Sequence, residues 1–384
     1  MRTVYLDYNA TTPLDEGVRS VMEPFWSDCF GNPSSIHHVG RRARALLDDA
    51  RDRAAGVMRC KPSEIVFTSG GTESVNLAVQ GTARLLKDRG RHIVTSSVEH
   101  HAVLHAVDYL ERREGFRVDR LPVDAEGRVS VEQVRSAIRP DTILVSIQAA
   151  NNEVGTLQPV REVSAICRQK GILVHTDAVQ WFGKMPWEGV ATLGADLISL
   201  CGHKFHGPKG SGLLYIRSPL HPDPLIFGGG HENERRAGTE NLPGIMGLVE
   251  AMERFVPTPV FNASEILPLS RMLSDALTEL DDLGVRLLGP QDARLPNTVA
   301  FVAPRSDSMT LLANFDLEGI CASAGSACSA GSLEPSHVAS AMGFNAAEGR
   351  ALVRFSLGRH STVEELERVI SVLRTVIRQS QTSG

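Results

Sequence analysis

Short apolar runs that alternate with stretches of helical period constrain this chain more than any other feature. The strand-like runs cover residues 64–68, 92–96, 142–148, 173–177, 195–200 and 212–216. Helical patterns fill the gaps at 42–58, 72–86, 101–114, 131–138 and 160–170. Alternation of this kind predicts an α/β fold on a mostly parallel sheet. Ligands in such sheets sit at the carboxyl ends of the strands. The residues just after each run are therefore where chemistry is expected.

The pattern breaks after Phe255, at Val256-Pro257-Thr258-Pro259, where two prolines disfavour a continuing helix. Beyond it come helix 265–283, strand 298–302, helix 309–317, a loop, helix 336–342, strand 351–356 and helix 362–378. That reads as a smaller α+β unit. The 384 residues have room for two domains. The expected division is a large domain over 15–255 and a small one from 1–14 and 256–384, the latter carrying a mobile loop at 321–334.

Composition excludes several function classes. The formal net charge is −5 with no basic stripe, so no nucleic-acid partner is expected. No stretch is long and apolar enough to span a membrane. The opening residues, Met1 to Asp7, lack a signal-peptide core, so a soluble cytoplasmic enzyme is expected. Six cysteines form no C-x-x-C pair, and no permanent metal is expected. Cys29, Cys60 and Cys167 read as small buried hydrophobes.

Against this background one lysine stands out. Leu200-Cys201-Gly202-His203-Lys204 ends an apolar run, and a Gly/Pro-rich turn follows. A lysine at the end of a buried strand loses solvation and becomes a nucleophilic amine. Such amines form Schiff bases with carbonyls, that of pyridoxal phosphate included. That role for Lys204 requires a phosphate cradle, an acid for a pyridinium nitrogen and a flat group to stack on the ring.

Each has a candidate. Thr68-Ser69-Gly70-Gly71-Thr72-Glu73-Ser74 is a strand, a glycine turn and a helix start. It suits an anion at Gly71 and Thr72, although Thr72 is equally a good helix cap. His175-Thr176-Asp177-Ala178-Val179-Gln180 ends a strand in an aspartate. Asp177 either meets a pyridinium N–H or caps the next helix, and Gln180 could donate to a phenolic oxygen. Glu99-His100-His101 places an imidazole beyond a strand, where His100 can stack and move protons. All four features follow predicted strands, and their conjunction is far stronger than any one.

With these residues in view the chain resembles the cysteine desulfurases of the nitrogen-fixation and iron–sulfur-cluster type. These are pyridoxal-phosphate enzymes of the class V aminotransferase family. The resemblance covers nearly the whole chain. Besides the motifs above it rests on Tyr5-Leu6-Asp7-Tyr8-Asn9-Ala10-Thr11-Thr12, Gly31-Asn32-Pro33-Ser34-Ser35, Asn151-Asn152-Glu153-Val154-Gly155, Arg236-Ala237-Gly238-Thr239-Glu240-Asn241, Gly325-Ser326-Ala327-Cys328-Ser329 and Arg354-Phe355-Ser356-Leu357-Gly358-Arg359. It implies a fold-type I transferase and a homodimer. It also implies that Lys204 bonds the cofactor, His100 stacks on it, Asp177 pairs with the ring nitrogen and Gln180 with the phenolic oxygen. Gly71, Thr72, Cys201, Gly202 and His203 would surround the phosphate, with Thr239 reaching the phosphate of a second subunit. Asn152 and Arg354 would hold the substrate carboxylate, and an arginine fork suits a carboxylate.

Two departures from the family pattern are visible. Cys201 stands where many relatives carry serine, and a thiol is the weaker donor. The chain also ends soon after its final helix, which leans toward the nitrogen-fixation subtype. The loop from Cys321 to Ser332 is nearly all small residues, so it should be mobile, with Cys328 exposed and Cys321 packed at its base. The activity implied is removal of sulfur from L-cysteine, giving alanine and a persulfide on Cys328 that passes to an iron–sulfur scaffold protein. That persulfide could ligate an iron–sulfur cluster transiently. The alternatives are a selenocysteine lyase or transaminase of the same fold, or a non-catalytic sulfur-relay protein.

Overall fold

The computed structural model describes residues 3–325 and 334–382. The chain enters through a two-residue strand, β1 (Val4–Tyr5). Seven strands follow: β2 (Ile65–Thr68), β3 (His92–Ser96), β4 (Arg117–Leu121), β5 (Thr142–Ser146), β6 (Leu173–Asp177), β7 (Leu197–Cys201) and β8 (Gly212–Ile216). They make one sheet in the order β2-β8-β7-β6-β5-β3-β4. Pairing is parallel from β7 through β4, while β8 runs antiparallel to both β2 and β7. β2 therefore points the same way as β7, and all the strands except β8 end at one edge. The sheet is mostly parallel, as the alternation implies.

A parallel sheet must be covered on both faces. Accordingly every residue of β2, β3, β5, β7 and β8 is buried. β4 is absent from the sequence-based expectations. Arg117, Asp119 and Arg120 break its apolar pattern, which only an edge position tolerates. The stretch 72–86 reads as one helix but forms helix Gly71–Asn76, a π segment Leu77–Gly81 and helix Thr82–Leu86. The wider turn leaves the Gly81 carbonyl to accept the Asp223 N–H at 3.1 Å.

Helix His38–Met58 buries Ala43, Leu47, Ala50, Ala54 and Met58 on one face and packs against helix Leu242–Phe255. The latter helix is also missing from the sequence reading. Leu242, Ile245, Met246, Leu248, Val249 and Met252 are all buried, so no one-sided stripe shows. Its start is nonetheless marked by Asn241, whose side chain caps the Gly244 N–H, and by Pro243 in the first turn.

The later strands are β9 (Arg286–Leu288), β10 (Thr298–Val302), β11 (Ile320–Cys321), β12 (Ser323–Ala324) and β13 (Leu352–Ser356). Four of them form an antiparallel sheet in the order β12-β13-β10-β9. A second apolar cluster, including Leu273, Phe301, Phe315, Phe355 and Leu373, takes in Val4 and Leu6. β1 pairs in parallel with β11, and Asp7 bridges Ser356. The next residues run to the carboxyl edge of the large sheet, where Thr12 Oγ1 donates to the His203 carbonyl at 3.0 Å. Among the described residues no helix is long and apolar enough to cross a membrane.

Candidate active site

The common edge of the strands gathers their terminal residues around a cavity of about 250 Å³. Lys204 stands in the tight turn Gly202–Lys204 directly after β7. Its Nζ donates to the carbonyls of Asn9 (2.7 Å) and Ala10 (2.8 Å). The amino-terminal segment thus holds the amine at the cavity wall. Asp177 closes β6, accepts the Val179 N–H at 3.0 Å and is almost fully buried. Burial is the main force on it and lifts its carboxyl from 3.8 to about 6, with the Val179 N–H and Lys204 opposing. A buried carboxylate held so high lacks positive charge, and a pyridinium N–H at the cavity would supply it.

The glycine turn after β2 forms another wall. Gly70 has φ +154°, a region side chains avoid, and it leads into the helix that begins at Gly71. A Cβ on Gly71 would come within 2.8 Å of Val179 Cγ2. The bare glycine therefore lets the turn pack directly against Val179 and keeps a side chain off this wall of the cavity. Thr72, Cys201 and His203 line the same cavity. Burial pushes the Cys201 thiol up to about 11, so it remains protonated and a weak donor. Gly202 does not line the cavity, and its N–H is spent on the Ser211 carbonyl at 3.1 Å. Thr239 is exposed and outside the cavity. Its segment is tied to the glycine turn by an Arg236–Glu73 ion pair of 2.8 Å.

His100 caps the helix His101–Glu114, with Nδ1 accepting the Ala102 N–H at 3.1 Å. Burial first, then the Lys204 charge and the neighbouring His101, His337 and His105, lowers it to about 4. The ring is neutral near pH 7, and since Nδ1 accepts, its proton sits on Nε2. Gln180 also lines the cavity and donates from Nε2 to the Asn9 carbonyl at 3.0 Å.

Arg354 arrives from β13, in the other sheet, and is 1% exposed. It donates to the carbonyls of Asn152 (2.8 Å) and Gly325 (3.1 Å) and to Asp7 Oδ1 (2.8 Å). Its Nε is buried without a partner, an orphan that an anion at the cavity could satisfy. Asn152 lines the cavity beside it. Cys328 lies outside the described residues.

The residue that sequence reasoning passed over is Asn9. Its backbone carbonyl takes Lys204 and Gln180, and its Oδ1 takes Lys184 at 2.6 Å and Asn297 at 3.1 Å. Its Nδ2 donates to Thr298 Oγ1 at 2.8 Å and to the Asn152 carbonyl at 3.3 Å. The only signal was its place in a quoted motif, since its partners are far away in the sequence. Taken together, an amine, a buried acid, an imidazole and a glycine cradle around one polar cavity fit pyridoxal phosphate.

Comparison with known proteins agrees with this geometry. The class-V aminotransferase family matches residues 4–369. A cysteine desulfurase IscS from Dictyoglomus turgidum is 46% identical over 391 residues, covering 99% of this chain and 96% of that protein. A solved structure titled NifS-like protein superposes with a TM-score of 0.88 at 38% identity, covering 98% of this chain and 99% of that one. Another, titled SspA in complex with cysteine, gives 0.80 at 36% identity, covering 94% and 100%. The chain belongs to the class-V aminotransferase family and, within it, to the cysteine desulfurases, which depend on pyridoxal phosphate.

Proposed function

We propose that this cysteine desulfurase takes sulfur from L-cysteine onto Cys328 and hands the persulfide to an acceptor protein such as an iron–sulfur scaffold. The observation that carries it is the position of Gly325. Its carbonyl is bonded to Arg354 at the cavity, and Cys328 follows three residues on. Three residues span at most about 11 Å, so the thiol can reach a substrate whose carboxylate is held by Arg354. Four of the other thiols are held protonated, and Cys29 is buried away from the cavity. Burial holds Cys60 and Cys167 near 12 and Cys201 near 11, and Cys321 is also raised. A protonated thiol is a poor nucleophile.

The residues divide the work as follows. Gly71, Thr72, Cys201 and His203 surround the cofactor phosphate, while Asp177 and Gln180 meet the ring. Gly202 shapes the turn behind them. When bound, pyridoxal phosphate supplies an electron sink for the substrate carbon. Arg354 and Asn152 orient the L-cysteine carboxylate. Lys204 Nζ removes the substrate α-proton. The Cys328 thiolate forms the new S–S bond as the substrate C–S bond breaks, and the electron pair returns to carbon. Protonation of carbon yields alanine, so cysteine and a thiol become alanine and a persulfide. Before the S–S bond forms, the neutral His100 takes the Cys328 thiol proton at Nδ1, exchanging it for the Ala102 N–H contact. The solved relative titled as a complex with cysteine supports the substrate.

The protein is read as a cytoplasmic homodimer with a large domain over 15–255 and a small one from 1–14 and 256–384. Trp26, Phe30, Ile36 and Phe227 are 70%, 71%, 89% and 83% exposed. Ser34 Oγ lies 3.4 Å from His231 Nε2, which sets these two segments side by side. Gly238 N–H donates to His231 Nδ1 at 3.3 Å, so Thr239 adjoins this face, and the family resemblance implies that it reaches the phosphate of a second copy. The test is Cys328→Ser: the visible band of bound cofactor should persist, while alanine release and the added sulfur found by mass spectrometry should vanish. Normal turnover, or sulfur found on Cys201 or Cys321, refutes the assignment.

A further inference from the structure

A second lysine lies behind the cavity. Lys184 is 1% exposed and does not line the cavity. Its Nζ donates to Asn9 Oδ1 at 2.6 Å and to Gln180 Oε1, and it sits 5.2 Å from the centre of the Phe261 ring. Burial first, then the Lys204 and Arg354 charges, pull its pKa well below the ordinary lysine value, with the Cys201 thiol opposing. A buried ammonium without a carboxylate is costly to hold. What it gains is contact with two amide oxygens, and those contacts have a directional consequence. The Asn9 carbonyl, which can only accept, takes the Gln180 nitrogen, so the Gln180 atom beside Lys184 is the oxygen, and Lys184 donates to it. The Gln180 nitrogen then faces the other way, where one N–H meets the Asn9 carbonyl at 3.0 Å. The second N–H is available to the cavity that Gln180 lines.

We propose that Lys184 is a positioning residue that locks the Gln180 amide with its N–H groups toward the cavity, so that the cofactor's ring oxygen always meets a donor. This rests on the reading of Gln180 as the partner of that oxygen. Without Lys184 the Asn9 carbonyl alone orients the amide, and the turned amide, which presents Oε1 and repels an anionic oxygen, gains population. A donor to the ring oxygen favours its negative form; when the donor is lost, the protonated form persists to higher pH.

The test follows the visible absorption of the cofactor-loaded protein as pH is raised, in wild type, Lys184→Met, Gln180→Ala and the double variant. The Lys184→Met midpoint should rise by about one pH unit, as expected for loss of one hydrogen bond to an ionised group. Gln180→Ala should rise similarly, and the double variant should rise no further than Gln180→Ala. A wild-type midpoint in Lys184→Met beside a shifted Gln180→Ala overturns the lysine's role and leaves the Gln180 reading standing. Wild-type midpoints in both sink the Gln180 reading and the proposal with it. Additive shifts in the double variant overturn it too, because Lys184 would then act by charge and not through Gln180. If Lys184→Met does not fold, Lys184→Gln takes its place, since its amide can offer either face. It should show the same upward shift at smaller size, and an unchanged midpoint refutes the proposal.

Discussion

Replacing Asp177 by asparagine should stabilise the cofactor-free protein while weakening its hold on the cofactor. The carboxyl titrates at about 6 in the fold against an ordinary 3.8. Its folded value lies above its unfolded one, so the folded chain binds the proton more tightly. Its contribution is therefore most favourable below about 3.8 and is lost as the pH rises to about 6. Each tenfold step is worth about 1.4 kcal/mol, so the full cost above that window is about 3 kcal/mol. Asparagine cannot ionise, and its Oδ1 can still accept the Val179 N–H. An unfolding entropy of about 2.1 cal/mol/K per residue over 384 residues converts 3 kcal/mol into about 4 °C. Melting of protein stripped with a carbonyl reagent should show Asp177→Asn about 4 °C above wild type near pH 8, with the gap narrowing below about pH 6 and closing toward about pH 4. Adding pyridoxal phosphate should reverse the advantage. A lost charge-assisted hydrogen bond of about 1.5–3 kcal/mol weakens binding roughly 10–100-fold. If the variant melts at or below wild type at every pH, Asp177 is satisfied by the turn after β6 and the electrostatic reading of the cavity is wrong.

Two further substitutions probe other walls of the site. Gly71→Ala places a Cβ 2.8 Å from Val179 Cγ2; cofactor titration should show at least about tenfold weaker binding, and unchanged affinity would show that the cradle holds nothing. Arg354→Lys removes the unpartnered Nε at the cavity, so the KM for L-cysteine should rise roughly 10–100-fold with the cofactor band intact, and an unchanged KM would place the substrate carboxylate elsewhere.

Much of the site was legible because the code for it is local. An apolar run ending in Lys204 or Asp177, or in a glycine turn and helix start, is a pattern of a few consecutive residues. Strand direction follows from the alternation with helices, so strand ends could be assigned to one edge before any coordinate was known. The edge strand β4 and the helix Leu242–Phe255 were not legible, because one carries charge and the other is apolar on nearly every face. Periodicity has no one-sided stripe to detect in either case. Only the tertiary structure decided which distant residues meet at the cavity. Asn9 and Arg354 come from opposite ends of the chain, brought there by the pairing of β1 with β11 and of Asp7 with Ser356. Lys184 carries no local signal in the sequence, yet it is buried against Asn9, Gln180 and Phe261. Local periodicity reports which face of a segment is apolar. Which polar groups are sealed together depends on long-range packing, and that packing sets their protonation and orientation.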